Sequence, residues 1–362
     1  MRLSTTLLLA GLAFAAAPAR AQDDPHRIVA RVVVRDTIAA VRPGPYQGRN
    51  NGPEQTEHFT RKVKIGRDGR FTLSNISGDI TVTAGSGDEV SIDAVKRTRG
   101  DKSELGRVQI TVDDRAGRID VRTEHDAFDR DRDRDRDDRG RRSDHVSVDY
   151  TVTLPAAASV DLHSVSGTIK VTGVHGSLRS ETISGNVTIA DAPKLEAAKT
   201  VSGDVSLTGI TTDGDLSASS VSGSVRAKGL KARGVDVGSV SGDIVVTDAT
   251  CERLGVKTVS GGVEYAGGIA RGGRYEINTH SGTVRLTLAN PAGFELTANS
   301  FSGSIRSELP LTIGGDSGGR NDSDSRSRRG RNDSHSMRAT FGDGSATLVV
   351  RTFSGDVVIA KR

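Results

Sequence analysis

The chain contains no tryptophan, and Cys251 is its single cysteine among 362 residues. One cysteine excludes an intramolecular disulfide, so the fold must hold without that staple. Aromatics make up only 3% of the residues. That scarcity argues against a wide sandwich core, and the missing Trp removes a common platform for stacking sugars. Long apolar runs are also scarce. The one present, Leu7-Leu8-Leu9-Ala10-Gly11-Leu12-Ala13-Phe14, is too short to span a membrane stably. Neither sign of charge dominates: 50 Lys+Arg against 46 Asp+Glu give a net +4. Such balance gives no electrostatic case for nucleic acid. A phosphate-cradling loop is missing too, because Gly272-Gly273 and Gly314-Gly315 lack a following helix and a Lys-Ser/Thr pair.

What the chain has in quantity is glycine, 43 of them, and a recurring motif. It reads [Ser/Thr]-apolar-Ser-Gly-x-[Ile/Val], as in Ser164-Val165-Ser166-Gly167-Thr168-Ile169 and Thr182-Ile183-Ser184-Gly185-Asn186-Val187. The Ser of the pair falls at 166, 184, 202, 222, 241, 260, 281 and 302, in steps of 18, 18, 20, 19, 19, 21 and 21. Outlying copies sit at Asn75-Ile76-Ser77-Gly78 and Thr352-Phe353-Ser354-Gly355. A period near 20 marks a stacked repeat. Each copy holds two short runs of period-two alternation, for example Val187/Ile189 after the Ser-Gly and Val235/Val237 before the next. Turn residues such as Gly173, Gly209, Gly229, Asp248 and Asn290-Pro291 separate the runs. Twenty residues cannot bury an apolar face alone, but stacked copies can. The expected fold is therefore all-β: a parallel β-solenoid of about 20-residue rungs with antiparallel hairpin caps. Val187, Val205, Val225 and Ile244 should then fall in one internal column. The Ser-Gly glycines should make corners, and the hydroxyl columns (Ser166 onward and Ser164 onward) should be structural. A dozen equivalent serines are a poor match to nucleophilic catalysis, which needs one distinguished Ser with a base.

Residues 1–21 read as a secretory signal: Arg2, the apolar core, Pro18, and Ala19-Arg20-Ala21 before Gln22. No Cys follows that cleavage site, so lipidation there is not expected. Loss of Arg2 and Arg20 takes the net +4 to about +2. The mature chain is expected to be exported to the periplasm, the cell surface or the exterior. Residues 22–56 form a turn-rich leader in which Ile28–Val41 is compatible with a strand or a short helix. Residues 57–362 form the solenoid domain: 57–155 an N-terminal hairpin cap, 156–309 the rungs, 310–362 a C-terminal cap. Two polar insertions, 126–144 with its Arg-Asp alternation and 314–336 rich in Ser, Gly, Arg and Asp, are expected to be solvated and disordered.

Candidate chemistry is thin. Calcium between rungs needs an acid at a fixed place in nearly every copy. Here the residue after Ser-Gly is Asp in four of ten, namely Asp79, Asp204, Asp243 and Asp356. A polysaccharide-active enzyme needs paired carboxylates on adjacent rungs. Asp204, Asp243 and Glu264, flanked by Arg226, Arg285 and Arg306, are the available set, with Asp243 and Glu264 as diagonal neighbours. Ordinary surface charge accounts for them equally well. His125 and His145 flank the Arg-Asp segment near Asp126 and Asp144, but no close zinc-ligand spacing occurs. His280 replaces the apolar residue of the motif and reads as a buried or edge histidine. Cys251 reads as a buried or turn-end small residue. No catalytic, cofactor or metal residue is assigned.

The repeats, with Leu73-Ser74-Asn75-Ile76-Ser77-Gly78-Asp79-Ile80 and Val148-Asp149-Tyr150-Thr151-Val152-Thr153-Leu154-Pro155, resemble the bacterial "putative adhesin" family of β-strand-repeat proteins. The resemblance covers roughly residues 57–362 and implies an exported, envelope-associated β-solenoid. It carries over no catalytic residue. The expected function is a non-enzymatic envelope scaffold or adhesion-like binding module, whose partner is an envelope polymer or a surface protein. The alternatives are a polysaccharide-active β-helix enzyme and an envelope-stress component.

Overall fold

The computed structural model describes residues 53–125, 146–289, 291–313 and 335–361. The expected signal peptide, nearly all of the leader, the Arg-Asp insertion, His145, Asn290 and most of the second insertion lie outside these residues. Gln55 and His335, placed by the sequence in the leader and the second insertion, each begin a strand.

The repeat sets the architecture. Before each Ser-Gly runs a long arm, such as Leu178–Ser184 or Asp215–Ser222, and after it a short arm, such as Val187–Ala190 or Val225–Lys228. Long arms pair in parallel, in register, into one wall; short arms build the other. The strand Ile244–Ser260 is both the short arm of one rung and the long arm of the next. Among the described residues the sole non-strand element is one 3-10 turn, Lys102–Arg107.

Parity decides which side chains go inward. Val187, Val205, Val225 and Ile244 are register partners and fully buried, so the expected column exists. Full burial of each such side chain stabilises the fold by ~1.5–3 kcal/mol. On the facing wall, Leu162, Ser180, Ala198, Ala218, Val237, Val256 and Ile277 form a second column that narrows at Ser180, Ala198 and Ala218. The turns contribute a third: Val174, Ala192, Ile210, Leu230 and Ala249 are buried and close the open side.

The ends depart from sequence order. Phe59–Ile65 and Arg70–Leu73 do not form the hairpin their spacing suggests. Gln55–Lys64 runs antiparallel to Glu89–Thr98 in the short-arm wall, while Arg70–Ser77 joins the long-arm wall. Phe59 and Val63 on one side and Phe71 and Leu73 on the other are all buried. Pairing the two strands would leave one wall of the core uncovered. The hairpin Val108–Arg115 with Arg118–His125 does form. Arg118–His125 and Ser147–Pro155, the strands flanking the Arg-Asp segment, lie in opposite walls rather than in one hairpin.

The C-terminal end brings the larger correction. Thr347–Thr352 and Val357–Ile359 were expected in a terminal cap beyond the rungs. Instead Ala346–Ser354 lies between Arg274–Ser281 and Phe294–Ser302, and Val357–Lys361 between Val284–Leu288 and Ile305–Ser307. The last rung in sequence is thus the penultimate in space. The long-arm wall ends on Phe294–Ser302, capped by antiparallel His335–Phe341, which pairs in turn with Thr312–Ile313. This order follows from edge chemistry. The Met337–Phe341 region pairs antiparallel and cannot template another parallel rung, whereas the Thr-Phe-Ser-Gly copy matches a parallel rung on both sides.

Candidate functional site

The long-arm alternation extends into the motif. Val235 and Val237 point inward, so Ser239 follows them and Val240 must point out. The corner then resets the parity, and Ile244 points in again. Every copy repeats this pattern. The hydroxyl residue is buried: Ser164, Thr182, Thr200, Ser220, Ser239, Thr258, Thr279, Ser300 and Thr352. Several of these hydroxyls donate to the glycine carbonyl of a neighbouring rung, as Thr200 to Gly185 at 2.9 Å, Ser220 to Gly203 at 2.9 Å and Ser239 to Gly223 at 3.0 Å. The bonded members, as expected, tie the column to corner backbone, while the hydroxyls of Ser164, Thr182, Thr279 and Thr352 are buried without a hydrogen-bond partner.

The corner glycine is fixed by close approach. Gly185 sits at φ +149° and donates its N–H to Ser202 O at 2.9 Å. A Cβ there would fall on the carbonyl oxygen of Gly167. The same ladder runs from Gly78 to Gly355.

The apolar residue of the motif is left outside. In spatial order the column is Ile76, Val165, Ile183, Val201, Val221, Val240, Val259, His280, Phe353 and Phe301. Its nine hydrophobic members are 38–50% exposed, and they are the large hydrophobic residues that stand out to solvent among the described ones. At the strand spacing, ten rungs make a continuous apolar ridge ~43 Å long. The Ser of each Ser-Gly pair runs beside it, half-buried at Ser77 and exposed in the other copies. The ridge ends in a stack of rings. His280 lies on Phe353 at 4.9 Å and Phe353 on Phe301 at 4.8 Å, with interplanar angles of 9° and 5°. His280 is therefore an exposed, stacked member of the ridge, not a buried one. The ring order also records the out-of-sequence rung, since Phe353 sits between 280 and 301.

The expected carboxylates mostly serve the stack. Asp204 Oδ1 accepts the Ser224 N–H at 2.8 Å while its other oxygen pairs with Arg226 at 2.8 Å. The Ser224 N–H, assisted by Arg226, holds the Asp204 carboxyl below its ordinary value. Asp243 accepts the Gly262 N–H at 2.8 Å, and Asp79 and Asp356 bond likewise to Thr168 and Ser304. Asn186 does the same for Asp204 N–H at 2.8 Å, so an acid is not required. Asp243 and Glu264 are diagonal in register, and Glu264 stands beside Arg285. Arg306 pairs in register with Val358.

Cys251 is buried, its thiol pushed up to about 12 by that burial, and its carbonyl accepts the Tyr275 hydroxyl at 2.5 Å. His125 ends its strand exposed to solvent. Among the described residues no three His, Cys, Asp or Glu side chains converge on a metal position. Nor is any helix there long and apolar enough to cross a membrane.

A parallel β-solenoid carrying one exposed apolar ridge is the class these observations define. Residues 173–360 match the family model described as Toastrack DUF4097, and the chain belongs to that family. No curated protein matches it. Among solved structures, similar chains include a "putative cell adhesion protein" from Clostridium sporogenes (9% identity, 85% of this chain and 100% of that one, TM-score 0.23). A second is a "putative adhesin" from Bacteroides fragilis (12%, 84% and 97%, TM-score 0.34). A third is a "putative lipid binding protein" from Parabacteroides distasonis (17%, 65% and 91%, TM-score 0.36).

Proposed function

We propose that this chain is an exported rod of the cell envelope that works by binding, as an adhesion-like or scaffold module, and not by catalysis. The apolar ridge carries the reading. A monomeric surface rarely keeps a contiguous apolar patch beyond a few hundred Å², and such patches mark contact sites. Here one apolar side chain recurs at the same place in nine of ten rungs, at 38–50% exposure. Export rests on the sequence of residues 1–21, and the solenoid domain on residues 57–362.

The polysaccharide-active alternative draws less support. Its carboxylates at Asp204 and Asp243 accept backbone N–H groups of the next rung. That bonding accounts for them without a substrate.

Retention of envelope fractions on the immobilised protein tests the proposal. The parent should retain envelope material at moderate salt. The triple variant Val201→Ser, Val221→Ser, Val240→Ser should lose at least about tenfold in retention while keeping its circular dichroism. Equal retention by parent and variant would remove the ridge from the function.

A further inference from the structure

We infer that the ridge is the meeting line of two copies of this chain, packed antiparallel about a twofold axis; this rests on the binding reading above and names the partner. Three observations converge.

The first is pitch. The ridge presents side chains at the ~4.8 Å strand spacing over ten rungs. Identical side chains at that interval interdigitate when a second array has the same interval, as in steric zippers. A second copy has the matching pitch along the whole length, so each Val enters the gap between two others. A bilayer or a flexible polymer presents no such rigid spacing.

The second is area. With exposures of 38–50%, the ridge offers on the order of 700 Å² per copy, so two facing ridges bury ~1,400 Å² with their serine borders. That falls inside the ~1,200–2,000 Å² of stable interfaces.

The third is shape. One end of the ridge carries His280, Phe353 and Phe301, stacked at 4.9 and 4.8 Å. The other end carries the slimmer Ile76, Val165 and Ile183. Parallel copies would press three rings on three rings and hold the valines apart. Antiparallel copies set the bulky end on the slim end at both extremities, and the gap closes evenly. The twofold axis then falls between Val221 and Val240, a quarter of a rung step from one of them, so that each side chain faces a gap in the partner, and the assembly closes at two.

The flanks favour a protein surface over a charged membrane. The residues two positions before the ridge include Glu181, Lys199, Ser219, Gly238, Lys257 and Asn278, which are mixed in sign and small at the centre. An anionic leaflet is recognised by clustered Lys and Arg, and the ridge borders have no such cluster.

Sedimentation velocity of the purified chain tests the proposal, with a Kd of about 10 µM or tighter expected. The double variant Val221→Lys, Val240→Lys puts charge at the axis and should weaken association at least about 100-fold. Both side chains are exposed, so its far-UV circular dichroism should match the parent's. Orientation is read by disulfide capture. Under oxidised glutathione, Val201→Cys chains mixed with Val259→Cys chains should cross-link to each other, and neither should cross-link alone; Cys251 is buried and stays silent. A chain that remains monomeric at about 100 µM overturns the proposal, as does dimerisation indifferent to the lysines. Self-linking of Val201→Cys overturns the antiparallel arrangement. If the parent is monomeric yet binds phosphatidylcholine vesicles through the ridge, the copy is the wrong occupant. Ridge-dependent envelope retention by a monomer would leave the binding function standing and sink the dimer alone.

Discussion

Between Ser159 and Leu288 each rung lies on the one before it in sequence, 18 to 21 residues back. At both ends that order breaks. Ser77 pairs with Ser166 across the whole N-terminal cap, and Ser281 pairs with Ser354 while Ser302 waits on the far side. The middle closes short loops one at a time, each at small entropic cost, and every rung is a template for the next. The ends close long loops, and each brings in antiparallel strands that stop the propagation. The same motif therefore serves two purposes: in the middle it extends the rod, and at the ends it locks a distant segment into it.

The corner glycine separates the two regions most sharply. Gly185→Val in the middle would drive a side chain into the carbonyl of Gly167 at a left-handed φ, and should cost more than about 4 kcal/mol of global stability by urea unfolding. Gly303→Val meets the carbonyl of Gly355 with the same geometry, but in the terminal rung. Its effect should stay local, with amide exchange protection lost over 294–307 and kept over 187–247. Equal global losses would show that the ends are as cooperative as the middle.

The buried hydroxyls give a smaller contrast. Ser220 donates to Gly203 O at 2.9 Å, and Ser220→Ala should cost about 1 kcal/mol. The Thr182 hydroxyl is buried without a hydrogen-bond partner, so Thr182→Val should be neutral or stabilising by a few tenths of a kcal/mol. Thermal unfolding of the two variants side by side checks the difference. A loss in Thr182→Val equal to that in Ser220→Ala would mean that its hydroxyl is satisfied in solution.

The carboxylates after Ser-Gly should show the smallest effect. Asp204 in the middle and Asp356 near the end are both held below the ordinary carboxyl value, chiefly by the N–H of Ser224 and of Ser304. A folded value below the unfolded one contributes stability that is complete above the unfolded value and fades as pH falls through the folded one. Asp204→Asn keeps an acceptor, as Asn186 shows, and should change stability at neutral pH by less than about 0.5 kcal/mol. It should flatten the acid limb of the stability profile. An unchanged acid limb would assign that limb to other groups.

Much of this was readable from residues alone. The Ser-Gly spacing placed the middle rungs, and Val187, Val205, Val225 and Ile244 fell in the column that spacing requires. The end order was not readable, because the step of 52 from Ser302 to Ser354 looks like an insertion between neighbours. Periodicity carries no record of which copy lies against which. The ridge was readable in principle. Continuing the alternation of Val235 and Val237 through Ser239 turns Val240 outward, but an apolar residue in a strand-like repeat invites an inward assignment until the corner's change of parity is counted. The stacked rings were hidden more deeply, since Phe353 meets His280 and Phe301 only through the inserted rung.

That inserted rung has a consequence for how the molecule is made. A ribosome delivers Phe294–Ser302 before Ala346–Ser354, yet the earlier strand has no parallel seat until the later one is in place. The rod's far end thus waits on a segment made some fifty residues later, and a chain lacking Ala346–Lys361 would leave its outermost layer, Phe294–Ser307, with nothing to rest upon.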